Sequence, residues 1–264
     1  MAGVPAPLAP YVSSLVAYDV DTGVPGVHRG LPSTALTLVL PVGEPLDVAW
    51  AGRPDTRTVG WSSVSGLHTL PAEIRHGGVQ RGVQLGLTPL GARVLLGVPA
   101  ADLAGELLEV GEIAPGLRHL PEQVAGVPYG ARAAVVAAAL LAVVARADVR
   151  VPRPEVGRAL ARLTRGVAVQ AVADEVGYSR RHLATLVRAE TGVAPKQLQR
   201  VARLQRSRAM VGRRPLAEVA TACGYADQAH LTREWTALAG CPPATWLREE
   251  FPFVQDAEPA DGAG

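Results

Sequence analysis

Two short stretches place groove-reading side chains at the start of a helix, just past a Gly-Tyr pair. After Gly177 and Tyr178, the positions Arg181, Ala184, Thr185 and Arg188 recur at i, i+3, i+4 and i+7, which is a single helical face. An arginine there can donate two parallel hydrogen bonds to guanine O6 and N7, and the methyl groups of alanine and threonine can touch the methyl of thymine. After Gly224 and Tyr225 come Gln228, Ala229, His230 and Arg233. A carboxamide matches the edge of adenine, and a second arginine suits guanine or a phosphate. This is base-reading chemistry with double-stranded DNA as the partner; a solvated helix face is the competing reading for each residue.

Such faces need a scaffold, and the chain supplies the same one twice. In the first copy Val169, Val172 and Val176 share one side of a leading helix, and Gly177 permits a tight turn. Ser179 can cap the second helix with its hydroxyl, Leu183, Leu186 and Val187 form the packed stripe, and Thr191 with Gly192 ends the helix. The second copy uses Leu216, Val219, Ala220 and Cys223, then Gly224 as the turn and Asp227 as the cap, with Leu231, Trp235 and Leu238 facing inward. The repeat predicts two helix-turn-helix units.

Between them, 195–210 reads as a basic helix. Leu198, Val201 or Ala202, and Leu204 to Ala209 would bury one side, leaving Lys196, Arg200, Arg203 and Arg206 elsewhere on it. Together with Arg180 and Arg188 these cations are candidates for phosphate contacts, with internal pairing of the arginines as the alternative. Gly177 and Gly224 lie 47 residues apart. A rigid connector over that span would set the recognition helices about 34 Å apart, in successive major grooves on one DNA face.

Other chemistries lack their residues. His28, His68, His76 and His119 have no metal-gripping spacing and no carboxylates to complete a set. Ser62, Ser63 and Ser65 lack a nucleophile elbow, and no phosphate-binding loop or dinucleotide fingerprint occurs. Cys223 and Cys241 are too few and too far apart for zinc or a disulfide framework, which fits a reducing cytoplasm. Neither catalytic residues nor a cofactor or metal is therefore expected. The start of the chain shows no secretory signal, and the apolar run 133–145 falls short of the roughly 20 residues that span a bilayer.

Charge separates the two parts of the chain. Residues 1–145 carry 8 arginines against 11 acidic residues, whereas 146–250 carry 17 arginines and Lys196 against 10. A formal charge of −3 thus precedes one of +8, the asymmetry expected of a sensory or dimerisation domain joined to a polyanion-binding one. We place the first domain at 1–147, the DNA-binding domain at 148–250 and a tail at 251–264. The boundary falls at Pro152 and Pro154, which discourage a continuous helix.

In the first domain, β-like runs at 36–40, 58–61 and 82–87 between Gly/Pro clusters predict a mainly β core, with helices at 90–96, 101–108 and 131–146. The last of these could pack within its own domain or against its copy in a homodimer.

The C-terminal motifs together resemble the AraC/XylS family of bacterial transcription regulators. The match is carried by Ala173 with 177–183, by 192–196, by 203–209, by Val219 and Ala220 with 224–235, and by 240–243. The resemblance implies seven helices forming two helix-turn-helix subdomains joined by a long helix, below an α+β, often cupin-like, domain that binds a small effector or dimerises. It also implies contact with RNA polymerase if the protein activates transcription. Carried over by position, the base readers are Arg181, Ala184 and Thr185 in the first unit and Gln228, Ala229, His230 and Arg233 in the second. The chain departs from the family at Val187, usually phenylalanine, and at Ala184, often a longer polar residue. Residues 28–33 and 251–256 resemble a group of actinobacterial members.

The expectation is a cytoplasmic, non-enzymatic, sequence-specific transcription regulator. A DNA-bound adaptor that senses nothing is one alternative, and an enzyme carrying a DNA-binding module is another. The enzyme would need an activated cysteine, such as an alkyl acceptor, and 1–145 contains none.

Overall fold

The computed structural model describes residues 3–147 and 153–250. The N-terminal part is built from two antiparallel sheets. One has the order β1 (Val12–Asp21), β8 (Val79–Leu87), β3 (Leu36–Val42), β6 (Ser63–Ser65) and β9 (Leu107–Leu108). The other runs β2 (Gly26–Gly30), β7 (Ala72–His76), β4 (Leu46–Trp50) and β5 (Arg53–Gly60).

Register explains how the first sheet is covered on both sides. Leu36 pairs with Leu87, Leu38 with Leu85 and Leu40 with Val83, so these apolar residues share one face. That face is buried with Leu120, Val124, Val136 and Leu140 of two helices, α3 (Leu120–Ala125) and α4 (Tyr129–Val144). The opposite face, carrying Thr37, Val39 and Gln84, looks toward the second sheet.

Between β8 and α3 lie two short helical turns, α1 (Pro89–Gly91) and α2 (Val110–Ile113). The helix expected at 90–96 is divided between α1 and a π-helical segment, Ala92–Leu96. The one expected at 101–108 is absent. A 3-10 turn at Ala100–Leu103 precedes Gly105, whose φ of +77° breaks the helix, and Leu107 and Leu108 then pair with Ser65 and Val64.

The C-terminal part is all-helical: α5 (Pro154–Thr164), α6 (Val169–Glu175), α7 (Arg180–Thr191), α8 (Pro195–Arg208), α9 (Leu216–Cys223), α10 (Gln228–Ala239) and α11 (Pro243–Glu250). These seven helices follow the expected plan, with α5 opening on Pro154 at its first turn. Most of the proposed linker, 148–152, and the tail lie outside the described residues.

Packing does not follow the linker. Ala159, Leu163, Val172, Ala173, Leu183, Val187 and Leu198 belong to the same buried cluster as the leucines of β3 and β8. A second cluster, separate from it, contains Val201, Leu204, Val219, Ala220, Cys223, Leu231, Trp235, Leu238 and Trp246. The first helix-turn-helix unit is thus continuous with the N-terminal domain, and the second has its own core.

Candidate nucleic-acid interface

Both recognition helices begin the same way. In α7, Ser179 Oγ accepts a hydrogen bond from His182 N at 3.2 Å; in α10, Asp227 Oδ1 accepts one from His230 N at 2.6 Å. Gly177 and Gly224 turn the chain ahead of them at φ +74° and +76°, and Gly192 and Gly240 close the helices at +75° and +76°. A histidine one turn into each helix meets the turn tyrosine edge-on: His182 against Tyr178 at 4.8 Å and His230 against Tyr225 at 5.5 Å.

These ends fix which residues face out. Leu183 and Val187 are buried on α7, while Arg181, Thr185 and Arg188 are exposed and Ala184 is half-buried. On α10, Leu231 and Trp235 are buried, and Gln228, Ala229 and Arg233 are exposed. His230 differs from its neighbours. Its Nδ1 accepts from Ala226 N at 3.1 Å and its Nε2 lies 3.9 Å from Glu234, so the ring braces the turn. Leu186, expected in the packed stripe, is only half-buried.

The basic connector divides in two. Lys196 and Arg206 of α8 are exposed, as is Arg180 of α7. Arg200 and Arg203 instead converge on Glu234 of α10, at 3.0 Å and 2.9 Å. The second contact is close enough for charge pairing without being aligned as a hydrogen bond. Arg203 also donates to the carbonyl of Gly224 at 3.2 Å and lies 5.0 Å from the Tyr225 ring centroid. Internal pairing therefore holds for these two arginines. Glu234 is the residue that the sequence reading missed: nothing in the spacing of Arg200 and Arg203 says which acid of a later helix they will meet.

Cys223 and Cys241 are buried free thiols. Burial pushes the Cys223 thiol up, against the opposing pull of Arg206, which suits a packing residue rather than an alkyl acceptor. Among the described residues no cluster of three His, Cys, Asp or Glu could hold a metal ion, and no helix is long and apolar enough to cross a membrane.

Two outward-facing recognition helices on one basic, all-helical scaffold define a bipartite helix-turn-helix DNA-binding domain. Residues 172–249 match the family model described as "Helix-turn-helix domain", and this region is a DNA-binding domain of the AraC/XylS family of transcription regulators. No curated protein sequence matches the chain.

Solved structures show the same architecture over nearly the full length. ToxT from Vibrio cholerae O395 is similar with a TM-score of 0.50 at 10% identity, over 91% of this chain and 98% of that one. Unsaturated fatty acid-bound wild-type ToxT from Vibrio cholerae strain SCE256 gives 0.52 at 10% identity, over 94% and 97%. At such identity the likeness is one of fold. The C-terminal domain of AraT, a response regulator from Geobacillus stearothermophilus, is 20% identical over 36% of this chain and 85% of that one, with a TM-score of 0.35.

Proposed function

We propose that this protein is a sequence-specific transcription regulator whose two recognition helices read successive major grooves of one DNA site. The observation that carries this reading is the matched pair of helices, with Arg181 and Thr185 on α7 and Gln228, Ala229 and Arg233 on α10 all open to solvent. Ala184 adds an apolar contact in the first groove, and His230 reaches bases only from the margin of the second. Arg180, Arg188, Lys196 and Arg206 supply phosphate contacts, whereas Arg200 and Arg203 act by holding α10 against α8.

The N-terminal domain regulates this reading, through a small-molecule effector held between its sheets or through self-association. That a similar fold carries a bound unsaturated fatty acid in ToxT supports the effector route. An adaptor role without sensing would leave without a use the cavity of about 480 Å³ between the two sheets, lined among others by Tyr18, Val39, Val48 and Gln84.

The test is selection of genomic fragments on full-length protein, repeated with Arg181→Ala and Arg233→Ala at two salt concentrations. Two sequence blocks about one helical turn apart are expected. Each substitution should relax its own block, at a cost of roughly 1–3 kcal/mol in binding. Sequence-blind binding that fades with salt would reject the bipartite reader.

A further inference from the structure

Counted from its cap, each recognition helix turns the same four positions outward. Two, five, six and nine residues past Ser179 lie Arg181, Ala184, Thr185 and Arg188; the same steps past Asp227 reach Ala229, Thr232, Arg233 and Thr236. Spaced i, i+3, i+4 and i+7, each set forms one stripe. Ala229, Arg233 and Thr236 are exposed, and Thr232 is half-buried, as Ala184 is at the matching place on α7. The second stripe thus includes two threonines beside the residues already placed on it.

The threonines of both stripes spend their hydroxyls in the same way. Thr185 Oγ1 donates to the carbonyl of Arg181 at 3.1 Å, Thr232 Oγ1 to that of Gln228 at 3.0 Å, and Thr236 Oγ1 to that of Thr232 at 2.8 Å. Each bond runs back one turn along the helix's own backbone, an arrangement open to threonine in any helix. A hydroxyl hydrogen held this way is not offered to a phosphate or to an acceptor on a base. What the side chain has left to present is its γ-methyl group. At this surface threonine therefore acts as a small apolar residue, in company with Ala184 and Ala229.

The two stripes differ in order. On α7 an arginine stands at each end with Ala184 and Thr185 between, whereas on α10 the methyl-bearing residues flank Arg233 on both sides. At 1.5 Å per residue, Ala229 to Thr236 covers about 10 Å, or about three base-pair steps. The one apolar feature on the major-groove edge of a base pair is the C5 methyl of thymine, and the same position is bare in cytosine.

We infer that Thr232 and Thr236 are specificity-determining residues that recognise the C5 methyl group of pyrimidines, so that the second half of the site carries thymine beside the contact of Arg233 and accepts 5-methylcytosine there in preference to cytosine. This rests on the base-reading role given above and assigns the second unit a chemistry that is apolar on either side of a single cation. Removing one methyl from such a contact should weaken binding about fourfold.

The experiment uses full-length protein and the tightest fragment from the genomic selection, made as short duplexes in which each thymine in turn is replaced by deoxyuridine, which lacks only the C5 methyl. The change lies in the DNA and leaves the folding of the protein untouched. By fluorescence anisotropy, one or two thymines of the block that Arg233→Ala relaxes should each lose about fourfold in affinity. In Thr232→Ser, which drops the methyl and keeps the hydroxyl, one of those thymines should no longer be distinguished from deoxyuridine. Thr232→Val, which keeps a methyl and drops the hydroxyl, should retain the preference. With a C·G pair in place of that T·A pair, methylation of the cytosine at C5 should raise affinity about fourfold.

Indifference to deoxyuridine throughout the second block, with Arg233→Ala still relaxing it, would overturn the methyl reading and leave the bipartite reader standing. So would a thymine preference that Thr232→Ser keeps and Thr232→Val loses, since the hydroxyl would then make the contact. A selection that yields no motif would remove the base reading itself, and this inference with it.

Discussion

The two helix-turn-helix units share caps, turns and helix lengths, yet are held in opposite ways. The first is fused to the N-terminal domain: Leu163, Val172, Leu183 and Val187 lie in the core of the sheets, and α7 rests on the 3-10 turn Ala100–Leu103. Glu190, at the far end of α7, takes two hydrogen bonds from Arg93, at 3.2 Å and 2.9 Å, with its side chain only 9% exposed. Gly192 sits so close to this turn that an added Cβ would meet Ala104.

The second unit touches the same domain mainly through rim contacts. These are Leu31 against its core, Thr34 on Gln205, and the exposed Arg29–Glu249 pair at 2.6 Å. One unit is a fixed part of the body and the other is attached to it by a few contacts at the rim. Local sequence determines which residues each helix turns outward, whereas packing determines how firmly each unit is held to the sheets.

The strongest challenge to this contrast is to damage each core in turn. Leu163→Ala and Trp235→Ala each remove a side chain with 0% exposure, at a cost of about 2–5 kcal/mol. Calorimetry of Leu163→Ala should show the main transition lowered as a whole. Trp235→Ala should split off an early transition for the second unit, leaving the remainder near its original Tm. If both variants melt in one lowered transition, the two cores are a single cooperative unit.

Acid should act more strongly on one side of the contrast. His28 and His68 have folded values lowered from 6.5 to about 4 by burial, so the unfolded chain binds more protons in that interval. Their contribution to stability is complete above pH 6.5 and is lost as pH falls through about 4. The transition containing the sheets and the first unit should therefore drop between pH 6.5 and 4, while the second unit's transition, exposed in Trp235→Ala, should move less. Replacing His28 with leucine should flatten the dependence.

Smaller effects separate the ties themselves. Glu190→Ala leaves Arg93 without its partly buried partner and should cost about 1–3 kcal/mol in urea unfolding. Glu249→Ala breaks an exposed pair and should cost less than about 1 kcal/mol. Equal losses would remove the distinction between a fused and an attached unit. Where the units are alike, substitutions should match: Ser179→Ala and Asp227→Ala each remove an N-cap worth about 1 kcal/mol, measurable as equal shifts in their respective transitions.

The C-terminal half was legible because its signals are local. Ser179, Asp227 and the turn glycines announce helix ends, and apolar residues at helical spacing announce the packed sides. The N-terminal half was harder for physical reasons. β1 has a register irregularity between Val12 and Ser14, which breaks the alternation of its first residues. The apolar spacing at 101–108 suggested a helix, until Gly105 and the pairing of β9 with β6 showed otherwise.

For the interface, Arg181, Thr185 and Arg188 of α7 are exposed where periodicity put them, whereas Ala184 is half-buried and His230 of α10 turns toward Ala226 and Glu234. The inward turn of Arg203 did not follow from periodicity, because Glu234 is separated from it by a whole helix-turn-helix step. Nor could the hollow between the sheets be read, since a polar alternation such as that of Gln80 and Gln84 is what an ordinary solvent-facing strand would show.

The length of α8 gives the attachment of the second unit a mechanical meaning. Its 14 residues make a rod about 21 Å long, running from the fused unit to the rim of the cavity. A tilt of only about 5° at the fused end would swing the far end by nearly 2 Å, and a hydrogen bond to a base edge is lost over a smaller displacement than that. The contact of Gln205 with Thr34 at that rim therefore has leverage over the whole second unit, and a small change of packing there alters the spacing between the two recognition helices.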